Sequence, residues 1–323
     1  MLEPDVNILE IKNLRKEFTN KTTKKPIVAV DNISLTLQRG KTLGIVGESG
    51  SGKSTLGRIM LRLVEPTSGQ IIFNQKDITN EKPKELRNLR SKMQMIFQDP
   101  MASLDPRMSV QELIQEPLDI HNIGTKAERK KAVEEIAEKV GIAKSALEKF
   151  PHEFSGGQRQ RISIARAVIN KPDLIVADEP VSALDVSIQA QILNLLKDLR
   201  REMNLSFIFI SHDLSVVNYF CDEVAVMYLG NIVEYAPTSE LFANPKHPYT
   251  QALISAIPEI DTENKAKRII LTGDVPNPAD APTGCHFHPR CPIAIASCAT
   301  QVPILKNYGT NHQVSCNLVG VNA

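Results

Sequence analysis

Residues 47–54 read Gly47-Glu48-Ser49-Gly50-Ser51-Gly52-Lys53-Ser54, a match to G-x-x-x-x-G-K-[ST]. A short apolar run, Thr42–Val46, precedes the match, and a helical pattern from Lys53 to about Leu63 follows it. Strand, glycine loop and helix in that order are the setting in which this motif cradles phosphate. The glycines let the backbone wrap close to phosphate oxygens, and the amides of the loop and of the helix start face those anions. Lys53 supplies a point charge to the β- and γ-phosphates. Ser54, with Thr55 beside it in the first turn, offers a hydroxyl to Mg2+. Taken alone, the loop says purine nucleotide hydrolase or kinase.

The rest of the chain has an α/β rhythm. Ile33, Leu35 and Leu37 alternate with polar residues before an Arg39-Gly40 turn, which predicts a half-buried strand. Met93–Phe97 predicts another. From about Gln111 to Phe150 the pattern is helical, with Ala132, Val133, Ile136, Ala137 and Val140 on one face. Strands then return at Leu174–Ala177, Phe207–Ile210 and Val224–Tyr228, separated by helical stretches at Ile188–Leu199 and Leu214–Phe220. Such alternation predicts a mostly parallel sheet covered by helices, here carrying a helical insertion at about 99–165. After Pro237 the chain turns Pro-rich and aperiodic. Residues 1–243 therefore form the expected main domain, and 244–323 an appended tail with one short helix near Thr250–Ile257.

Three further clusters carry chemistry. The apolar strand at Leu174 ends in two acids, Asp178 and Glu179, which can take different tasks: Asp178 in a Mg2+ shell, Glu179 polarising a water. Gln98 and His212 each follow directly on a predicted strand, at the carboxyl ends where α/β sheets bind ligands. Ser155-Gly156-Gly157-Gln158 opens a helix between Phe154 and Arg159. It reads either as a second anion site, donated to a partner chain's nucleotide in a head-to-tail dimer, or as a serine cap with two turn glycines. In the tail, Cys285, Cys291, Cys298 and Cys316 are spaced C-x5-C-x6-C-x17-C. A Pro-rich segment with little core of its own gains a cross-link from a metal centre. Four thiolates suit a [4Fe–4S] cluster or Zn2+. With His286, His288 and His312 nearby a mixed zinc site stays open, and so do unligated thiols. Cys221, at the end of a predicted helix, is assigned to the core.

Composition removes several classes. With 38 Lys+Arg against 37 Asp+Glu, the net charge is +1, too little basic excess for a protein that lives on phosphate backbones. Trp is absent and aromatics are 5%, which argues against a base- or sugar-stacking platform. The apolar runs span only a few residues, where a membrane helix needs roughly 20. The first residues lack the apolar core of a secretory signal, so a cytoplasmic chain, docked on a membrane partner or not, is expected.

As an ordered set the motifs resemble those of ABC transporter ATP-binding subunits. Gly47–Ser54 resembles Walker A, Leu174–Glu179 Walker B and Phe154–Gln158 the signature motif, with Phe154 where Leu is commoner. Gln98 falls at the Q-loop, Ser182–Asp185 at the D-loop and His212 at the switch histidine; Phe18 stands about where an aromatic residue, commonly Tyr, stacks on adenine. Gln98–Pro106, Asn244–Thr250 and Ala281–Pro292 further resemble the dipeptide/oligopeptide (Dpp/Opp) importer ATPases, with nickel importers of the same branch similar. The resemblance implies a P-loop core with an antiparallel β subdomain, a helical subdomain and a Cys-containing C-terminal extension. It implies ATP and Mg2+ as ligands, with Ser54, Gln98 and Asp178 arranging the metal, Glu179 activating water and His212 contacting the γ-phosphate region. It tips the tail centre toward [4Fe–4S]. The implied partners are a sister ATPase or a second copy, two membrane permeases and an external binding protein, at the cytoplasmic face of the membrane. A soluble ABC protein acting on ribosomes or DNA, or a regulatory nucleotide sensor, are the competing classes. The single cassette, the lack of basic excess, and the presence of Glu179 and His212 weigh against them.

Overall fold

The computed structural model describes residues 6–19, 24, 26–257 and 268–320. In chain order the elements are β1 (Asn7–Thr19), β2 (Pro26–Gln38), β3 (Thr42–Val46), α1 (Lys53–Met60), β4 (Ser68–Phe73), β5 (Lys76–Asp77), α2 (Pro83–Leu89) and β6 (Met93–Ile96). Then come α3 (Pro100–Ser103), α4 (Val110–Ile120), α5 (Lys126–Lys139), α6 (Gly156–Val168), β7 (Leu174–Asp178), α7 (Val186–Met203), β8 (Ser206–Ser211) and α8 (Leu214–Phe220). The remainder is β9 (Glu223–Tyr228), β10 (Asn231–Pro237), α9 (Thr238–Ala243), α10 (Pro248–Ser255), β11 (Lys306–Asn307) and β12 (Gln313–Val314), with short 3-10 turns between. The chain divides into two compact units. One comprises Met1–Leu9, Thr36–Lys41 and Ile72–Ile210; the other comprises Glu10–Leu35, Thr42–Ile71 and Ser211–Ala323. β1, β2, β4 and β5 form a four-stranded sheet in the order β2-β1-β4-β5.

In the first unit, β6, β7 and β8 are parallel, with Met93 opposite Leu174 and Leu174 opposite Ser206. β7 and β8 are buried at every residue, as strands covered on both faces must be. The expected helical insertion is present. Its single helical pattern resolves into α4 and α5, separated where Asn122 and Gly124 take left-handed backbone (φ 53° and 71°). On α5 the buried residues are Val133, Ile136 and Ala137, and Val140 caps its end. α4, α5 and α6 each start with a reciprocal capping box: Ser109 with Glu112, Thr125 with Glu128, Ser155 with Gln158. Arg166 on α6 ties the bundle together, bonding Glu116 of α4 at 2.6 Å and the Ser103 carbonyl at 2.8 Å.

In the second unit β3 pairs parallel with β9, and β10 folds back antiparallel on β9. α1 ends at Met60, three residues short of the expected Leu63, because Leu61 leaves helical geometry. The tail is more structured than its composition predicts. The expected short helix is α10, Pro248–Ser255, and residues 306–314 add two strands: β12 pairs with β10, Glu234 opposite Val314, and β11 pairs with β12. The fastening is a fully buried carboxylate. Glu234 accepts the Lys246 amide at 2.7 Å, the His247 amide at 3.0 Å and the His312 Nε2–H at 2.7 Å. His247 is itself buried, and burial pushes its pKa down to about 3, so it stays neutral and its Nδ1 accepts the Tyr249 amide. Among the described residues no helix is long and apolar enough to cross a membrane.

A buried carboxylate that loses a donor costs about 1–3 kcal/mol. His312→Leu is therefore expected to lower the unfolding free energy by an amount of that order, and the urea midpoint with it, while His312→Gln, which keeps a donor, loses less. Equilibrium unfolding followed by far-UV circular dichroism reads the difference; equal midpoints for the wild type and the Leu variant would contradict the fastening role.

Candidate functional site

The second unit carries the phosphate loop. β3 is buried along its whole length and delivers the chain to Gly47. There the backbone passes so close to the end of β9 that a Cβ on Gly47 would lie 2.1 Å from the Met227 carbonyl oxygen. Gly52, in left-handed backbone (φ 100°), is as tight: a Cβ would meet the Ala29 carbonyl oxygen at 2.1 Å. Gly50 is also left-handed (φ 79°) but open, with nothing within 4 Å of the place a Cβ would take. α1 starts from Gly52, which has no side chain to cap the helix start. The buried Lys53 ammonium donates to the Gly47 carbonyl at 2.7 Å and the Glu48 carbonyl at 2.9 Å, with Ser51 Oγ at 3.4 Å. Ser49 is exposed, and Ser54 and Thr55 are half-buried in the first helical turn. A glycine loop that opens a helix, with a buried ammonium folded back on its own carbonyls, can hold a polyanion.

Two more expected residues lie in the same unit. His212 is exposed on the turn before α8, whose cap, Asp213, accepts the Ser215 amide at 2.8 Å. Phe18 lies half-exposed on β1 with the Lys16 ammonium 5.0 Å over its ring.

The first unit carries the acids. Asp178 ends β7 and is buried. Glu179 follows in left-handed backbone (φ 48°), rare for a residue with a side chain. The two adjacent acids thus sit in different backbone conformations, Asp178 ending the strand and Glu179 in the left-handed turn after it. The Glu179 amide donates to the Ile210 carbonyl at 3.0 Å, and Gln98 donates its side-chain amide to the Glu179 carboxylate at 3.0 Å. The structure thus brings Gln98 and Glu179 together, a pairing that sequence spacing does not reveal. Gln98 lies two residues beyond β6, which stops at Ile96 and leaves Phe97 outside the strand. Ser182 donates to the Glu179 carbonyl at 3.1 Å, and Asp185 caps α7, its pKa lowered by hydrogen bonds from Ser187 and Ile188.

The Ser155–Gln158 segment has local work to do. Ser155 is the cap of α6; its amide donates to Gln158 Oε1 at 3.0 Å, and the Gln158 amide returns to Ser155 Oγ. A Cβ on Gly157 would sit 2.6 Å from Ile188 Cγ2, so that glycine lets α6 approach α7, whereas Gly156 is roomy and exposed. Ser155 and Gly156 are exposed at the start of this helix, the arrangement an anion site needs as well.

The tail thiols meet. Cys285, Cys291, Cys298 and Cys316 line one small cavity together with His247 and His288. All are free thiols, and burial pushes Cys285 and Cys291 above their usual range, which keeps them neutral at pH 7. The thiols do not already form a metal site. Among the described residues, no three or more His, Cys, Asp or Glu side chains are already arranged to hold a metal ion. Two of the histidines considered for a mixed site are engaged elsewhere, His286 with Asn231 at 3.1 Å and His312 with Glu234. Cys221 is buried at the end of α8, as expected.

What sequence reasoning misses lies at Glu48. Its carboxylate receives both terminal nitrogens of Arg290, at 2.7 and 3.1 Å, and its amide donates to the Tyr249 hydroxyl at 2.9 Å. Sequence reading notes the segments that hold Tyr249 and Arg290, Asn244–Thr250 and Ala281–Pro292, but the second draws attention to its cysteines and not to its arginine.

Fold and loop together define the chain as an ABC transporter ATPase: residues 30–182 match the ABC transporter family. Within that class it belongs to the oligopeptide/dipeptide branch, for residues 233–298 match the oligopeptide/dipeptide transporter C-terminal region. A putative peptide import ATP-binding protein of Brucella ovis is 52% identical over 309 residues, covering 96% of this chain and 97% of that protein. The oligopeptide transport ATP-binding protein AppF of Bacillus subtilis is 51% identical over 319 residues, with the same coverage. Among solved structures, the dimeric ATP-binding cassette MJ0796 bound to ADP and Pi is similar at TM-score 0.65 and 30% identity, covering 71% of this chain and 98% of that one. CbiO1 from Clostridium perfringens, part of the ABC transporter complex cbiONQ, is similar at TM-score 0.66 and 29% identity, covering 74% and 92%.

The loop's two kinds of glycine separate in a binding experiment. Gly52→Ala drives a methyl into backbone and is expected to abolish nucleotide binding. Gly50→Ala meets only left-handed strain, about 1–2 kcal/mol, and is expected to weaken binding by tenfold or so. Titration with Mg·ATP measures both; equal losses would mean that contact with Ala29 does not shape the loop.

Proposed function

We propose that this chain is the ATP-binding and hydrolysing subunit that powers import of di- or oligopeptides through a pair of membrane permeases. Residues 1–243 serve as the nucleotide-binding domain and 244–323 as the branch-specific extension. The observation that carries the ATPase reading is the loop itself: three left-handed glycines around an inward-turned, buried Lys53. The peptide reading is supported by the C-terminal region match and by the relatives' names. Those same names speak for peptides over nickel, and for transport over a soluble regulatory role.

Bound Mg·ATP supplies the reactive phosphoanhydride and the charge neutralisation that phosphoryl transfer requires. Lys53 and the amides of 47–54 bind and orient the phosphates, and Phe18 is assigned to the adenine. Ser54, Gln98 and Asp178 would hold the metal; the Gln98 amide nitrogen is turned to Glu179, so its oxygen is the end a cation would take. Glu179 accepts the proton of the attacking water, its carboxylate steadied by Gln98. His212 holds the γ-phosphate region. Ser155, Gly156, Gly157 and Gln158 complete the site of a second ATPase, a sister chain or another copy. Catalysis is then mostly positioning and charge stabilisation. The assembly includes an external peptide-binding protein and places this chain on the inner face of the membrane.

In the same reading the four tail thiols hold a structural [4Fe–4S] cluster, with Zn2+ as the alternative. Four thiols lining one cavity support it.

Glu179→Gln is expected to retain ATP binding and cut steady-state turnover of the reconstituted transporter by about 10²-fold or more. Turnover near wild type would reject Glu179 as the base. For the tail, anaerobic purification followed by iron, sulfide and zinc analysis is expected to find four irons and four sulfides per chain, the content of one cluster. One zinc without iron would replace the cluster by zinc, and a metal-free, active protein would remove both.

A further inference from the structure

Glu48 is the second residue of the phosphate loop, and each of its polar groups is held. Its carbonyl takes the Lys53 ammonium, its amide donates to Tyr249, and its carboxylate is gripped by Arg290 through two hydrogen bonds. Tyr249 and Arg290 stand 201 and 242 residues further along the chain. Neither contact belongs to the loop motif.

The arginine is well braced. It is 8% exposed, on the 3-10 turn His288–Arg290 between Cys285 and Cys291. Its guanidinium lies 6.0 Å over the Tyr228 ring. Tyr228 packs edge-on against Tyr249 and Phe287, all three buried, so the guanidinium and the Tyr249 hydroxyl share one rigid aromatic wall. Arg290 itself points past that wall to the loop.

Charge gives the arrangement a purpose. A carboxylate in a loop that must hold a polyphosphate repels its ligand, because like charges a few ångströms apart raise each other's energy even when screened. A bidentate guanidinium cancels that charge and fixes the residue that carries it.

We propose that Arg290 is a positioning residue for nucleotide binding. Acting through Glu48, it neutralises and anchors the phosphate loop, so the C-terminal extension sets the loop's affinity for polyphosphate. The proposal rests on the nucleotide reading above and adds a tail residue to it.

The test uses the purified full-length chain and titration with Mg·ATP and Mg·ADP, and compares Arg290→Met, Glu48→Gln and the double variant. Iron, zinc and unfolding midpoints are measured on each. Arg290→Met leaves the Glu48 charge uncompensated and is expected to raise the Kd for ATP about tenfold, the scale of one partly screened charge pair. The rise is smaller for ADP, which carries less charge. Glu48→Gln alone removes the loop's acid, leaves the guanidinium charge uncompensated beside the loop and is expected to lower the Kd for ATP. The double variant regains most of the lost affinity, a rescue that a purely structural arginine would not show. In the reconstituted transporter, Arg290→Met raises KM for ATP and leaves kcat near wild type.

An Arg290→Met protein that is folded and binds ATP with wild-type Kd would overturn the proposal. So would a double variant as weak as Arg290→Met, since the arginine would then act on the fold and not on Glu48. A wild-type chain that binds no ATP would instead overturn the nucleotide reading, and the two failures are distinct.

Discussion

Twice in the phosphate loop the backbone passes where a single methyl group would strike a carbonyl oxygen. Much of the second unit can be understood as what is needed to bring those carbonyls there. The Ala29 carbonyl comes from β2 and the Met227 carbonyl from the end of β9. The three segments are linked in series by hydrogen bonds: the Asp31 amide to the Gly230 carbonyl at 2.8 Å, and the Gly230 amide to the Ser51 carbonyl at 2.9 Å. The loop's form is therefore a tertiary property, and β3, buried on every side, is the fixed post from which it departs.

The first unit solves a different problem, that of holding an acid in an awkward place. Left-handed backbone at Glu179 carries a conformational cost, and it persists because the residue is tied at both ends. Its amide is bound to β8, its carbonyl takes Ser182, and its carboxylate takes Gln98. The nearby helices are self-starting by contrast, each opened by its own reciprocal cap within four residues. Rigidity at Glu179 comes from long-range ties, whereas the helical insertion draws much of its definition from local ones.

That contrast explains how far the sequence can be read. Strand, loop and helix at 42–60, the buried face of α5 and the strand ending in Asp178 are legible because each is written in contiguous residues. The break at Asn122–Gly124 is masked by the helical pattern on either side, although its asparagine and glycine signal left-handed backbone. The tail defeats composition for another reason. β11 and β12 are two residues each, too short to show any period, and their stability comes from β10 and from the buried Glu234, some 78 residues before its partner His312. The Ser155 motif carries two meanings in the sequence, and both remain compatible with its geometry: it is a helix cap, and it is exposed. Gln98 and Glu179 each stand out singly, yet their 3.0 Å contact spans 81 residues and has no signature in the sequence. Arg290 is hidden between two cysteines.

The contact between Glu48 and Arg290 also has a consequence in time. A chain is made from its N-terminus, at roughly 5–20 residues per second. The phosphate loop is complete once Ser54 has been added, but the residue that grips its second position follows 242 residues after Glu48. For roughly 10–50 s of synthesis at those rates, the nascent protein carries the whole loop motif without the arginine that compensates its acid. A ribosome-bound fragment that stops short of Arg290 and a chain that includes it thus hold the same eight loop residues in different states, and the arrival of one arginine decides when the site is whole.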